Sequence, residues 1–343
     1  MSKGQQWTTS QRPGSLKEFF GQPAASAYIR GLEKRGTAPN CVLITGQSGL
    51  GKTTLARILG ARLSRWKGDP DANPDATEMP ANVERSIDDV RNYIRISRYS
   101  PKGGHRRIMI VDEAQGLVGP AGSAMLKATE DVPPKTTWIL CTDQPWKLNR
   151  AMLRRAVSIA LNPVSEDDLV KSLEYICDKE NLKFGDNKEK VLRRIAKAAN
   201  GTPGIAVQLL EHVWTSVLGG GKVSESIAMA INASPGAEAF DAAIAYLKAL
   251  IAGDSEAAAA AVASTASPDG MIEMINGMLV GVIRKAAGGQ PRDGLGWAAV
   301  RSIKAGKGDL KDLMTLQSKI VAALTVKGQY QASPESILYG LAR

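Results

Sequence analysis

A glycine-rich segment followed by a lysine and two threonines has the most specific chemistry in this sequence. It fits the pattern G-x-x-x-x-G-K-[ST] at every position. The glycines let the backbone turn so that its N–H groups point inward at phosphate oxygens. Lys52 can reach the β- and γ-phosphates of a nucleotide, and the Thr53 hydroxyl can bind Mg²⁺. We therefore expect a site for ATP with Mg²⁺, formed by the residues Gly46, Gln47, Ser48, Gly49, Leu50, Gly51, Lys52, Thr53 and Thr54.

Two adjacent carboxylates, Asp112 and Glu113, follow an apolar run about 60 residues later. A site that hydrolyses nucleotides needs a second half of this kind, in which a strand ends in an acid. We expect Asp112 to hold Mg²⁺ through a water molecule and Glu113 to polarise the attacking water as a general base. Adjacent acids also occur as solvated strand ends. Together with the phosphate loop, however, the pair indicates hydrolysis rather than binding alone.

Short apolar runs that alternate with helical patterns must position these residues. Four runs predict buried strands: 41–45, 107–111, 138–142 and 156–161. Helices are predicted between them: 53–63, 86–98 and about 121–130. Ser86 is the expected cap of the second helix, and residues 69–80, with three prolines, are expected to be a loop. Strands that alternate with helices favour an α/β fold with a mostly parallel sheet.

The pattern changes after Pro163. Residues 165–232 predict about four helices, and a turn at 233–236 separates them from a last helical segment, 236–343. We therefore expect three domains: a nucleotide-binding domain at 1–162, a helical domain at 163–235 and a second helical domain at 236–343. Apolar stripes in the last domain suit packing within one bundle or between subunits. They comprise Ile272, Ile275, Leu279 and Ile283.

Composition narrows the class of protein. The 343 residues suggest two or three domains, and the net charge of +10 favours an anionic partner such as nucleic acid. The three cysteines are far apart and not in CxxC spacing, which argues against a disulfide framework or a zinc module. The N-terminus is polar, and no apolar run reaches the roughly 18 residues that a membrane helix needs. We expect a cytoplasmic protein without a membrane segment.

A series of features between residues 112 and 156 resembles one family. The Asp-Glu pair is followed by Met125-Leu126-Lys127 with Glu130 and Pro133-Pro134, then by a strand ending in Thr142, then by Arg154-Arg155-Ala156. This order resembles the AAA+ ATPase subunits of clamp loaders. That family includes the tau/gamma subunit of bacterial DNA polymerase III, the small subunits of replication factor C and the large subunit of phage clamp loaders. The segments 12–22 and 86–101 fit the same family.

The resemblance implies an AAA+ P-loop NTPase domain with a parallel sheet, followed by a helical lid and a C-terminal helical collar. It implies that Thr142 is sensor 1, which orients water near the γ-phosphate. Arg155 falls on the arginine finger that reaches into a neighbouring subunit's site, although both flanking residues depart from the family's Ser-Arg-Cys and Arg154 remains an alternative. Gly204 stands where the family has its sensor 2 arginine, so a γ-phosphate contact made in cis is missing.

Adenine is expected between the N-terminal segment and the lid. By position in the family, the candidates for its site are Arg12, Pro13, Phe20, Gly21 and Gln22. Phe19 and Phe20 are equally compatible with the hydrophobic core. Candidates to contact DNA phosphates lie on and just after the helix at 86–98: Arg91, Arg95, Arg98 and Lys102, with the basic turn 102–107. The alternative is that these residues form a solvated basic surface.

The function implied is an ATPase subunit of a sliding-clamp loader, which uses ATP to open the clamp and place it on primer–template DNA. Its expected partners are the sliding clamp, the DNA and neighbouring subunits in a pentameric ring. A bacterial cell is the expected setting, with a phage-encoded replisome as one source. Two alternatives remain open. One is a related AAA+ motor such as a Holliday-junction branch-migration helicase, and the other is a subunit that binds as a scaffold without hydrolysing ATP.

Overall fold

The computed structural model describes residues 6–81, 87–184, 188–232, 237–264, 268–288, 311 and 313–320. The chain divides into two compact units, Met1–Leu210 and Glu211–Arg343. The predicted cap Ser86 and the predicted turn at 233–236 lie outside the described residues. The division into three domains stays a prediction.

The described part of the first unit contains one sheet of five parallel strands in the order β2-β3-β4-β1-β5. The strands are β1 (Cys41–Thr45), β2 (Ala76–Pro80), β3 (Arg107–Asp112), β4 (Thr136–Thr142) and β5 (Val157–Ala160). Thr45 is paired with Thr142 across β1 and β4. Since parallel strands end at the same edge, the segments that follow β1, β3 and β4 meet there.

Strand β2 corrects the prediction of a loop at residues 69–80. That segment contains a 3₁₀ turn at Pro70–Ala72 and then the strand, which pairs only with β3 at the edge of the sheet. In β2 only Met79 is buried, so the sequence has no apolar run to reveal the strand. Pro70 lies in the turn, and Pro80, which is paired with Asp112, is the last residue of an edge strand, where proline is tolerated.

Helices follow or precede each strand, as the alternating pattern predicts. The helices in the first unit are α1 (Trp7–Ser10), α2 (Pro23–Arg35), α3 (Lys52–Leu63), α4 (Ile87–Ser97), α5 (Gly119–Glu130), α6 (Arg150–Arg155), α7 (Glu166–Lys179) and α8 (Lys188–Ala198). Helix α9 (Pro203–Leu218) begins in the first unit and ends in the second. Further helices are α10 (Val223–Asn232), α11 (Ala237–Ala252), α12 (Ser255–Ala263) and α13 (Pro268–Ala286), and residues 313–320 are also helical. Within the described ranges, none of these helices has the length and apolar character to cross a membrane.

The sheet is buried on both faces, which explains its near-continuous apolar strands. Along β1, Val42 and Ile44 pack with helices α2 and α3, whereas Cys41 and Leu43 join a second cluster with residues of α4 and α5. The strands β3 and β4 divide their side chains between the same two clusters. The expected α/β class with a parallel sheet is confirmed.

The second unit has its own hydrophobic core. Helices α11, α12 and α13 contribute most of it, with Tyr246 and Leu247 fully buried. Of the predicted apolar stripe, Ile275 and Leu279 are buried in this cluster and Ile283 packs against it. These side chains therefore stabilise the bundle of one chain. The side chain of Ile272 is outside the described residues.

Candidate nucleotide site

The loop between β1 and α3 has the backbone that its glycines predict. Gly46, Gly49 and Gly51 have φ angles of 154°, 78° and 90°, which residues with a Cβ rarely adopt. A Cβ at residue 49 would lie 2.6 Å from Cγ2 of Thr202. The loop leads directly into α3, whose first residue is Lys52. The N-terminal end of a helix favours bound anions, because its free N–H groups and its dipole face them.

Lys52 is almost fully buried, with 5% of its surface exposed. Its Nζ donates to the backbone oxygens of Gly46 at 3.0 Å and Gln47 at 3.1 Å. Carbonyl oxygens solvate an ammonium group but do not neutralise its charge, and Lys52 forms no ion pair with the part of the chain that the structure describes. A buried positive charge at the base of the loop fits an anionic phosphate group.

Thr53 and Asp112 come together across the end of the sheet. The Thr53 hydroxyl donates to Oδ2 of Asp112 at 2.8 Å, and Oδ1 of Asp112 accepts from the backbone N–H of Glu113 at 3.1 Å. Hydroxyl and carboxylate oxygens are hard ligands of the kind that Mg²⁺ prefers, together with phosphate oxygens and water. The donor set therefore fits the predicted Mg²⁺ and nucleotide.

Glu113 and Thr142 are linked through a residue that the sequence did not single out. Glu113 lines the cavity described below and has a left-handed backbone, with φ of 53°. Its Oε2 accepts from Nε2 of Gln115 at 2.5 Å. The hydroxyl of Thr142, which is fully buried at the end of β4, donates to Oε1 of the same Gln115 at 2.6 Å.

A cavity of about 280 Å³ opens beside the glycine loop. The predicted residues Arg12, Pro13, Phe20 and Gly204 line it together with Ser48 to Thr54 and Glu113. Sequence reasoning missed further lining residues from the N-terminal segment and from helices α7 and α9: Trp7, Gln11, Leu169, Tyr175, Ile176 and Val207. Apart from Gln11, their aromatic and aliphatic side chains suit the faces of a nucleobase.

The adjacent phenylalanines differ in role. Phe19 belongs to the core cluster below the loop, although it also reaches the cavity. Phe20 lies in the cavity wall, where its ring centroid is 6.2 Å from that of Tyr175. The expectation that they are core residues therefore describes Phe19 better than Phe20.

Gly21 and Gln22 do not line the cavity and instead fix the N-terminal segment. The Gln22 amide donates to the backbone oxygen of Asn162 at 2.5 Å and accepts from its backbone N–H at 3.3 Å. A Cβ at Gly21 would lie 2.3 Å from a methyl carbon of Val164. Both residues hold this segment against the chain that follows β5.

Gly204 brings the start of helix α9 into direct contact with the glycine loop. Its backbone N–H donates to the carbonyl oxygen of Gly49 at 3.1 Å. A Cβ at residue 204 would lie 3.3 Å from that same oxygen. Where the resemblance leads one to expect an arginine side chain, the structure has a backbone contact between the first turn of α9 and the loop.

Arg155 lies outside the cavity of its own chain. It ends helix α6, where one nitrogen pairs with Oε1 of Glu130 at 3.1 Å and another donates to the backbone oxygen of Ala151 at 3.0 Å. The Arg155 side chain is about half exposed, at 46%. Arg154 is also exposed. Both alternatives for the finger therefore remain available to another molecule.

The basic residues proposed to face DNA divide into two groups. Arg91, Arg95, Arg98 and Lys102 are exposed. Arg106 and Arg107 of the basic turn instead stabilise the chain itself. Arg106 donates to the backbone oxygen of Thr136 at 2.8 Å, and the buried Arg107 donates to the backbone oxygens of Tyr99 and Ser100. These two arginines are engaged by backbone carbonyls and are poor candidates for phosphate contacts.

The chain is similar to known proteins in sequence and in fold. Residues 72–165 match the family model described as DNA polymerase III, delta subunit. The chain is 27% identical over 228 residues to DNA polymerase III subunit gamma of Buchnera aphidicola subsp. Acyrthosiphon pisum (strain APS), covering 62% of each chain. It is 26% identical over 262 residues to DNA polymerase III subunit tau of Escherichia coli (strain K12), covering 71% of this chain and 39% of that one. The chain thus spans less than two thirds of the length of these relatives.

A further relative is the replication factor C small subunit of Methanothermobacter thermautotrophicus, 27% identical over 223 residues, which cover 64% of this chain and 65% of that one. Among solved structures, the RuvB Holliday junction branch migration motor of Thermotoga maritima superposes with a TM-score of 0.52. It is 21% identical and covers 64% of this chain and 72% of that chain, a likeness that concerns the fold alone. The chain has a parallel α/β fold followed by helices, and in sequence it is similar to gamma and tau subunits of DNA polymerase III and to a replication factor C small subunit.

Proposed function

We propose that this chain is an ATPase subunit of a sliding-clamp loader that acts in the bacterial cytoplasm. The observation that carries the ATPase part is the junction of the two halves of the site. The Thr53 hydroxyl lies 2.8 Å from Asp112, with Glu113 next to it and Lys52 buried below the loop. Its sequence relatives among the gamma, tau and replication factor C small subunits support the clamp-loading part.

Each group in the site has one role in this proposal. The loop N–H groups and Lys52 bind the triphosphate, while Thr53 and Asp112 would hold Mg²⁺, which neutralises charge on the phosphates. Glu113 accepts a proton from the attacking water. Thr142 is fully buried and donates its hydroxyl proton to Gln115, so it acts on that water through this contact and not by touching it. The cavity wall formed by Trp7, Phe20, Tyr175 and their neighbours holds adenine, so the nucleotide spans the N-terminal segment and the lid.

The proposed partners follow from the family to which the relatives belong. We propose that ATP binding opens a sliding clamp, that the chain grips primer–template DNA through phosphate contacts, and that hydrolysis releases the clamp. Neighbouring subunits in a five-membered ring would complete each site with Arg155. The net charge of +10 supports contact with DNA, because lysine and arginine contribute most of the affinity for phosphates.

Substitution of the general base tests the ATPase. Glu113→Gln keeps the size of the side chain but removes the proton acceptor, so turnover should fall by roughly 10²- to 10⁴-fold while ATP binding persists. Phosphate release and ATP titration measure the two effects. Glu256→Gln, an exposed carboxylate in the second unit, serves as the matched control. If the wild-type chain has no turnover even in its assembled complex, the scaffold alternative is correct.

Clamp loading needs a separate test. Co-purification with a candidate clamp comes first, followed by ATPase assays of the assembled complex with and without primed DNA. Stimulation by clamp or DNA supports the proposal, and its absence contradicts it. Because the chain is similar in fold to RuvB, a branch-migration motor is the alternative function. Closed hexamers in electron micrographs would favour that alternative, whereas an open spiral of five subunits would refute it.

A further inference from the structure

We infer that Gln115 is a positioning residue for ATP hydrolysis, because its side-chain amide bridges Thr142 and Glu113. This inference rests on the proposed ATPase function and goes beyond it, since neither the nucleotide motifs nor the resemblance assigns a role to this residue. Gln115 lies in the 3₁₀ turn Ala114–Gly116 that follows β3. It is half-buried and does not line the nucleotide cavity.

The bridge joins the ends of two neighbouring strands. Oε1 of Gln115 accepts from the hydroxyl of Thr142 at 2.6 Å, and Nε2 donates to Oε2 of Glu113 at 2.5 Å. Thr142 is the last residue of β4, and Glu113 follows the last residue of β3. Gln115 therefore ties sensor 1 to the general base within one chain. The second carboxylate oxygen of Glu113, Oε1, forms no hydrogen bond with the described residues and is free to act on water.

The hydrogen-bond pattern fixes which way the amide points. The hydroxyl oxygen of Thr142 already accepts from the backbone N–H of Gln144 at 3.0 Å, so its proton is directed to Gln115. This places the amide oxygen toward Thr142 and the NH₂ group toward the carboxylate. The flipped amide would bring two acceptors together at Glu113. Only a side chain with an acceptor at one end and a donor at the other satisfies both partners.

The backbone around the bridge is firmly held. Glu113 has a left-handed conformation, and its carbonyl oxygen accepts from the N–H of Gly116 at 2.9 Å, which closes the turn that carries Gln115. Ala114 is fully buried, and Thr142 has no exposed surface. A donor fixed in this way limits the rotamers of Glu113 and keeps its carboxylate at the cavity. Hydrolysis depends on such alignment, since a small displacement of a reacting group slows the reaction strongly.

Two substitutions of Gln115 test the bridge. Gln115→Met keeps the length of the side chain but removes the donor and the acceptor. Gln115→Glu keeps the acceptor and places a second carboxylate against Glu113. Both should lower kcat by roughly 10- to 100-fold and leave the dissociation constant of ATP within about twofold, because Gln115 does not line the cavity. Gln144→Ala is the matched control, since Gln144 bonds to Thr142 through its backbone N–H and makes no capping bond with its side chain.

A double-mutant cycle separates positioning from a general loss of structure. If Gln115 acts through Thr142, the effects of Gln115→Met and Thr142→Val on kcat should be far from additive. Additive effects, an unchanged kcat in Gln115→Met, or equal losses of kcat and ATP affinity would each overturn the inference while the ATPase stands. Absence of turnover in the wild-type chain would instead remove the proposed function itself, and the inference with it.

Discussion

At the scale of single residues, Gly49 is constrained both by its own backbone and by a neighbouring element. Its φ of 78° is strained for any residue with a side chain, and an added Cβ would lie 2.6 Å from Cγ2 of Thr202, just before helix α9. We expect Gly49→Ala to destabilise the closed loop by about 1–2 kcal/mol. If the loop must adopt this conformation to bind ATP, the same free energy is lost from binding, and the affinity for ATP should drop roughly tenfold.

ATP titration and thermal denaturation measure this effect. Gly31→Ala is the control, because a Cβ at Gly31, in the middle of α2, meets nothing within 4 Å. That substitution should stabilise the protein by about 0.5–1 kcal/mol through its effect on helix propensity. An unchanged ATP affinity in Gly49→Ala would contradict the close contact between the glycine loop and Thr202.

The residues that could be predicted at the site are those whose roles are local in sequence. Lys52, Thr53, Asp112 and Glu113 belong to two short motifs, and the structure brings Thr53 to within 2.8 Å of Asp112. Residues such as Trp7 and Tyr175 are far apart in the chain and share no motif. Only the packing of the N-terminal segment against α7 places both in the cavity wall.

At the scale of elements, strand β2 is held by an arginine on the helix that follows the glycine loop. Arg57 of α3 binds both carboxylate oxygens of Glu78, at 2.7 and 3.0 Å, and also contacts Asp71 at 3.2 Å. Its side chain is only 18% exposed, so these bonds are partly shielded from water. Burial lowers the pKa of Arg57, but the hydrogen bonds and charges of Glu78 and Asp71 together outweigh it, so the pKa is raised. The cluster fixes an edge strand that has little apolar surface of its own.

Glu78→Gln should therefore destabilise the first unit by about 1–2 kcal/mol, since it leaves a partly buried guanidinium without its bidentate partner. Chemical denaturation gives the free energy of unfolding. Asp88→Asn removes the exposed pair with Arg91, whose side chains are 82% and 64% exposed, and should change stability by less than about 0.5 kcal/mol. Equal effects of the two substitutions would show that the Arg57 cluster does not stabilise β2.

Strand β2 is also the part of the sheet that the sequence alone could not predict. Strands β1, β3 and β4 lie inside the sheet and are apolar on both faces, so their runs are visible in the sequence. In the described sheet, strand β2 has one neighbour and one buried residue; Pro74 precedes it and Pro80 ends it. Its pairing depends on β3 and on the ion pairs with Arg57, which are tertiary contacts that no local pattern encodes.

At the scale of the whole molecule, one chain supplies most of the proposed ATP site but not its arginine finger. Lys52, Thr53, Asp112 and Glu113 meet within one chain, whereas Arg155 lies away from that cavity and pairs with Glu130 on the surface. An exposed ion pair of this kind is weak. Glu130 can therefore orient the Arg155 guanidinium without preventing it from binding at another site. This arrangement suits a residue that acts on the site of a neighbouring subunit.

Mixing two inactive variants tests that arrangement. Glu113→Gln keeps Arg155 and Arg155→Ala keeps Glu113, so in a mixed ring some sites combine Glu113 with a neighbour's Arg155. Assembly at equal amounts should restore roughly a quarter of wild-type turnover, since half of the sites have Glu113 and half of their neighbours supply Arg155. Mixing either variant with the double variant Glu113→Gln/Arg155→Ala should restore none. If Arg155→Ala alone hydrolyses ATP normally and Arg154→Ala does not, Arg154 is the arginine finger. If mixing the two variants restores no turnover, the ATP site is not shared between subunits.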